Sequence, residues 1–157
     1  MPMKSFRGLI GANTVDTVPL STNNGATGYR IVKFEIMPEK PMTEESEHVV
    51  TIYTIPQTNP DPAAADYGSI DFSDNTLIAA GFTEGNPATA YRTYRTQFFD
   101  NNTFNQDIYI VCESGVGTKP VNYYIELEVI KLDLNENTVA TLKDIRNIES
   151  QWVNNIT

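Results

Sequence analysis

Short segments in which apolar and polar residues alternate recur along the chain, and each ends at a cluster of turn-forming residues. In residues 29–37 every second side chain falls on the same face of an extended strand, as a period of two requires. One face is apolar and the other is mixed, with Val32, Phe34 and Ile36 opposite Ile31, Lys33 and Glu35. Similar runs occupy residues 48–55, 76–82, 106–113 and 122–133. Turns about ten residues apart among short strands are typical of an antiparallel β-sandwich or a barrel-like, jelly-roll-like domain.

Residues 91–99 form a strand candidate of a different kind. Arg92 and Tyr94 share one face of it, and Tyr91 and Arg95 share the other, so neither face is purely apolar. Such a strand fits the edge of a sheet or a contact with another subunit.

The two ends of the chain have other patterns. Residues 1–28 are rich in Gly, Thr and Asn, which predicts an extended arm with at most one short strand, and residues 29–157 are predicted to form a single domain. Near the other end the apolar period lengthens to three or four, which predicts one helix over residues 138–153. Its stripe consists of Val139, Leu142, Ile145, Ile148 and Trp152. We expect this stripe to pack on the sheet or to contact a neighbouring subunit.

The residues that could support chemistry are few. His48 is the only histidine and Cys112 the only cysteine, and no nucleophile or phosphate-loop motif accompanies them. We expect His48 to be a solvated surface residue and Cys112 to be a small buried hydrophobic residue. A hydrolase that uses His48 is the weakest hypothesis. The sequence thus predicts no catalytic residues, no cofactor and no metal site.

A long irregular connection over residues 56–73 is predicted to lie on the surface. Four carboxylates occur on or next to it, namely Asp61, Asp66, Asp71 and Asp74. Several oxygen ligands on one loop suit calcium, but their spacing does not match an EF-hand. We therefore do not favour a calcium site on this connection.

The charge of the chain bears on its partners. Lys and Arg total 11 and Asp and Glu total 20, which gives a net charge of −9. This charge repels phosphate backbones and anionic membranes, so nucleic acid is not an expected partner. No apolar run approaches the roughly 18 residues that a membrane span needs, and the amino terminus does not read as a secretory signal. We expect the protein to be made in a cytoplasm.

Tyrosine is frequent, with eight residues, and several of them lie on the predicted strands of the second half. Aromatic side chains with polar tips suit subunit interfaces and sugar-binding surfaces, and they are also ordinary sheet residues. The sequence leaves these three interpretations open.

Two stretches carry a family resemblance. Residues 98–110 read FFDNNTFNQDIYI, and residues 121–147 read VNYYIELEVIKLDLNENTVATLKDIRN. Over these stretches the chain resembles small virion proteins of tailed bacteriophages that infect marine bacteria. The resemblance implies a non-enzymatic structural protein displayed on the outer capsid surface of a virion, most plausibly a capsid decoration or cement protein.

The resemblance also implies partners. These are the major capsid protein and further copies of the chain, with a trimer favoured over other homo-oligomers. The expected contact residues lie in the arm, on the mixed strand and on the predicted helix: Met3, Lys4, Phe6, Arg7, Tyr91, Tyr94, Arg95 and Trp152. The alternative is a tail, fibre or knob component that binds glycans on the host surface through exposed tyrosines.

Overall fold

The computed structural model describes residues 2–22, 24–116 and 118–133, and within these residues the chain forms eight β-strands and no helix. The strands are β1 Met3–Ile10, β2 Thr14–Val18, β3 Thr27–Pro38, β4 Ser46–Tyr53, β5 Leu77–Asn86, β6 Tyr91–Phe98, β7 Ile108–Ser114 and β8 Val121–Lys131. The prediction of a predominantly β chain is therefore confirmed. The helix predicted for residues 138–153, including Trp152, lies outside the described residues.

The strands form two antiparallel sheets rather than a closed barrel. The three-stranded sheet has the order β1-β8-β3, and the five-stranded sheet has the order β2-β7-β4-β5-β6. Buried apolar residues from both sheets form one core, among them Ile10 and Ile125 from the smaller sheet and Ile52 and Ile110 from the larger. The two sheets are thus held together face to face by the residues that alternate along their strands.

Residues 1–28, over which the sequence predicts an extended arm, supply a strand to each sheet. β1 pairs with β8 over its whole length, from Met3 opposite Glu128 to Ile10 opposite Val121. β2 pairs with β7, so that Val15 lies opposite Val111. The structure therefore has two strands where the sequence predicts at most one, because the scattered apolar residues of this segment find partners far away in the chain.

β3 departs from simple alternation at one position. The pairing of β3 with β8 shifts between Ile31 and Lys33, so Val32 is an extra residue that forms a β-bulge. The bulge places Ile31 on the buried side together with Phe34 and Ile36, whereas Val32 is only half-buried. The predicted grouping of Ile31 with Lys33 and Glu35 is wrong for this reason.

The long connection between β4 and β5 lies on the surface, as predicted, and is attached to β7. The hydroxyl of Tyr67 lies within hydrogen-bond distance of Asn13 Oδ1 and of the carbonyl of Ser114, to one of which it donates its single proton, and it accepts from the amide of Ser114 at 3.0 Å. The amide of Gly68 donates to Glu113 Oε2 at 2.6 Å. The connection thus ties β2, β7 and the turn after β7 together at one end of the larger sheet.

Candidate functional site

An open groove of about 960 Å³ lies where β3 meets β5 and β6. Its apolar wall includes Leu9, Ile36 and Met37, and its polar wall includes Thr83, Arg92 and Tyr94. The groove therefore joins the edge of the smaller sheet to the edge of the larger one. Arg7 and Glu35 line it as well, so charged side chains of both signs border the apolar wall.

The floor of the groove depends on small residues in β5. Gly81, Thr83 and Gly85 alternate on the face of β5 that is turned towards the smaller sheet. A Cβ at Gly81 would lie 3.0 Å from the carbonyl oxygen of Arg95 and 3.2 Å from Ile36 Cδ1. The absence of a side chain there lets β3 approach β5 closely, two residues before Thr83 enters the lining of the groove.

A row of polar residues crosses the larger sheet next to the groove. His48 lies opposite Ser114 on β7 and opposite Thr83 on β5, and Thr83 lies opposite Tyr94 on β6. Both ring nitrogens of His48 and Oγ1 of Thr83 are buried and have no hydrogen-bond partner among the described residues. Buried polar groups without partners are uncommon and costly, so this row is an unusual feature of the core face.

His48 is buried, with 2% of its surface exposed, and the expectation of a solvated histidine is wrong. The reason is its place on β4, a central strand, where it shares a face with the buried residues Val50 and Ile52. Burial, followed by the nearby positive charge of Lys119, lowers the pKa of His48. The imidazole is thus held in its neutral form in the folded chain.

Cys112 is fully buried, as predicted. Burial and, secondarily, the charges of Glu113 and Asp16 raise the pKa of its thiol to about 12. Cys112 lies opposite Val50, two residues from the position that faces His48, and the two side chains make no hydrogen bond. A thiol in this state does not provide a nucleophile near neutral pH.

The carboxylates of the long connection serve local turns. Asp61 Oδ1 accepts from the amide of Ala63, Asp71 Oδ1 from Ser73 and Asp74 Oδ1 from Thr76. In each of these contacts the carboxylate accepts from a backbone amide two residues further along the chain, as in an ordinary turn. Within residues 2–22, 24–116 and 118–133, no group of three or more His, Cys, Asp or Glu side chains is placed to hold a metal ion.

The predicted contact residues fall on two separate strand edges. Met3, Lys4, Phe6 and Arg7 lie on β1, at the edge of the smaller sheet, and Tyr91, Tyr94 and Arg95 lie on β6, at the edge of the larger sheet. The groove brings Arg7 and Tyr94 together. Phe6 packs against the core, and Lys4 Nζ lies 5.7 Å from the centre of the Tyr29 ring.

Of the exposed large hydrophobic residues around β6, the sequence predicts only Tyr91 and Tyr94 as contact residues. A second depression, of about 630 Å³, also borders β6 and is lined by Ile70, Phe72 and Arg95. Of the eight large hydrophobic residues exposed in the described part of the chain, five line one of the two depressions. These are Leu9, Met37, Ile70, Phe72 and Tyr94. Their sequence positions give little warning, because they come from three strands and the long connection.

Comparison with known proteins adds no further indication. No protein-family model matches the chain, and no curated protein sequence matches it. Among the described residues, no helix is long and apolar enough to cross a membrane. The candidate site is thus defined by its geometry: a groove and a second depression that both border the exposed edge strand β6.

Proposed function

We propose that the chain is a non-enzymatic structural protein of a virion, and specifically a capsid decoration or cement protein on the outer shell. In this role it binds the major capsid protein and neighbouring copies of itself, and it reinforces the contacts between capsid subunits. The strand order of the two sheets carries the proposal, together with the resemblance of residues 98–110 and 121–147 to phage virion proteins.

The strand order supports a jelly-roll-like fold. The first and last described strands, β1 and β8, are neighbours and are followed by β3, while β2, β7, β4 and β5 follow one another in the other sheet. This interleaving is the order that two Greek keys produce when a long hairpin folds over on itself, and jelly rolls of this kind recur in viral capsid proteins and lectins. β6 differs, since it pairs with β5 in the larger sheet and not with β3.

Exposed groups at the strand edges support a role in contacts. Met3 is 50% exposed at the start of β1, and Arg7 is exposed further along the same edge. Arg7 belongs to no ion pair among the described residues. An unpaired cation beside exposed apolar groups suits binding to an acidic patch on a larger shell.

The test is to add purified protein to mature capsids that lack it and then to heat them. We expect saturable binding and a higher temperature of DNA release. The paired change Met3→Ser and Arg7→Ala should weaken binding at least tenfold, while Asp100→Ala, an exposed change in the turn after β6, should leave it unaltered. Failure to bind, or capsids that are equally stable without the protein, would exclude the cement role.

A second candidate is a glycan-binding component of a tail, fibre or knob. The groove favours it, because Tyr94 and Tyr124 offer aromatic faces near Arg92, Glu84 and the unpartnered hydroxyl of Thr83. Sugars are bound by such combinations of aromatic rings and hydrogen-bonding groups. Saturable binding to a glycan array that disappears in Tyr94→Ala, together with no binding to capsids, would favour this candidate over the first.

A further inference from the structure

β6 leaves a row of backbone groups without a partner strand. The amide of Phe99 donates to the carbonyl of Ile78, and β6 continues from this pair in regular antiparallel register with β5. In an antiparallel ladder, hydrogen-bonded and non-hydrogen-bonded pairs alternate. The backbone groups of Thr93, Arg95 and Gln97 therefore point towards β5, and those of Arg92, Tyr94 and Thr96 point away from it.

Phe98 is the next residue whose backbone carbonyl points away from β5, and this carbonyl already has a hydrogen-bond partner. Gln97 Nε2 donates to it at 3.0 Å, which is consistent with the assigned direction. No strand among the described residues pairs with the open edge of β6. Three outward-facing residues thus remain available, with Tyr94 at their centre. An exposed edge of this kind is a template for pairing with another strand.

β6 can pair antiparallel with β6 of a second copy in a register that places no like charges directly opposite each other. If Tyr94 lies opposite Tyr94 of a second copy, Arg92 faces Thr96 and Thr93 faces Arg95. The repeated Tyr-Arg-Thr triplet thus places every arginine opposite a threonine. Registers centred on Arg92 or Arg95 would place like charges directly opposite each other, which is destabilising. A register centred on Thr93 would place Thr96 opposite Ala90 of the second copy. Ala90 precedes the first residue of β6, so the outward backbone groups of Thr96 would have no strand residue to pair with.

The surroundings of β6 supply apolar area for such a contact. Tyr94 is 69% exposed and Tyr91 is 52% exposed. The groove is lined in part by residues 92–94 of β6 and the second depression by residues 94–97, so a strand added to β6 would lie next to both. A second copy would therefore cover both the unpaired backbone groups and the exposed rings.

We propose that β6 pairs with β6 of a second copy, antiparallel and about a twofold axis at Tyr94, so that the two five-stranded sheets become continuous. In such a contact both copies contribute the same surface, β6, and the contact forms in solution without any capsid. Its test therefore stands apart from the capsid-binding experiment. Failure of one leaves the other undecided.

Cysteine cross-linking tests the register. In Tyr94→Cys the two new thiols would lie in a hydrogen-bonded pair with Cα atoms about 5.5 Å apart, within the range of a disulfide. Mild oxidation should give a covalent dimer of this variant on non-reducing denaturing electrophoresis. Arg92→Cys should remain monomeric, because residue 92 of one copy lies opposite residue 96 of the other and not opposite residue 92. The native thiol does not interfere, because Cys112 is fully buried. Preferential cross-linking of Thr93→Cys or Arg92→Cys would overturn the register.

Sedimentation of the untreated protein tests the pairing itself. We expect a dimer that tightens with added salt, since each copy carries a charge of −9 and salt screens the repulsion. Tyr94→Pro removes an outward amide and should give a folded monomer, whereas Tyr94→Thr keeps that amide and should weaken the dimer by a smaller factor. A wild-type monomer at the highest attainable concentration would overturn the proposal. The proposal would also be overturned if the Tyr94→Pro variant unfolds cooperatively on heating and yet remains a dimer or a trimer.

Discussion

At the level of single residues, the most unusual feature is the pair of buried polar side chains next to the groove. His48 and Thr83 face each other on neighbouring strands, and neither side chain has a hydrogen-bond partner among the described residues. Leaving a buried polar group unsatisfied costs about 1–3 kcal/mol. These unsatisfied polar groups lie at the end of the core that opens onto the groove, where apolar residues would be expected.

Acid should destabilise the fold through His48. The unfolded chain takes up a proton near the ordinary pKa of 6.5, and the folded chain does so only at lower pH because burial lowers that pKa. The unfolded state therefore binds more protons below pH 6.5, and the free energy of unfolding falls as the pH drops through this range. Urea unfolding at a series of pH values from neutral to mildly acidic measures the slope.

Glu113 opposes this effect and must be separated from it. Burial raises the pKa of Glu113, so the folded chain takes up that proton more readily and acid stabilises the fold through this residue. The comparison is therefore between the wild type and His48→Gln, which keeps Glu113 and removes the only histidine. Equal slopes in the two proteins would show that His48 does not titrate in this way.

At the level of elements, β5 is the strand that sets the distance between the sheets beside the groove. Its inward face there carries Gly81, Thr83 and Gly85, while its beginning carries Ala79 in the core. Larger residues along this face would push β3 away from β5. The close approach of β3 to β5 thus depends on side-chain size along one strand.

Gly81→Ala should destabilise the fold by about 1–3 kcal/mol, because overpacking forces neighbouring groups to move. The added Cβ would meet the Arg95 backbone and Ile36, neither of which can move freely. Gly115→Ala is the matched control, since its Cβ would meet only the flexible side chain of Glu47. Urea unfolding of both variants gives the comparison, and equal small losses would mean that β3 is not held close by Gly81.

The bulge in β3 and the row of polar residues beside the groove could not be predicted from the sequence. Alternation correctly predicts strands within residues 29–37, 48–55, 76–82, 106–113 and 122–133 but does not predict both β1 and β2, and the mixed faces of residues 91–99 correctly predict the edge strand β6. The bulge at Val32 was missed because one extra residue reverses the faces without changing the composition of the strand. The burial of His48 was missed because its strand is central, and strand order depends on pairing between distant parts of the chain. The groove was missed for the same reason.

At the level of the whole molecule, the two sheets enclose one core, and Cys112 reports on its integrity. The thiol is fully buried, and its pKa is raised to about 12. We expect it to react with a thiol reagent only when the fold opens, so that the labelling rate follows the free energy of unfolding as urea is added. Asp100→Cys provides the contrast, because Asp100 is exposed in the turn after β6 and its thiol should react at once. Rapid labelling of Cys112 in native conditions would indicate local opening of β7.

The pairing of β1 with β8 and of β2 with β7 has a consequence for synthesis on the ribosome. Neither of the first two strands has its partner until residues 108–131 have emerged, so the early part of the chain must wait in an unpaired state. The hairpin of β5 and β6 and its neighbour β4 can form sooner, because their partners are close in the sequence. Chains dominated by such distant pairings fold slowly, in milliseconds to seconds. Each copy therefore completes its smaller sheet last, and an incomplete copy exposes β6 before β1 is in place.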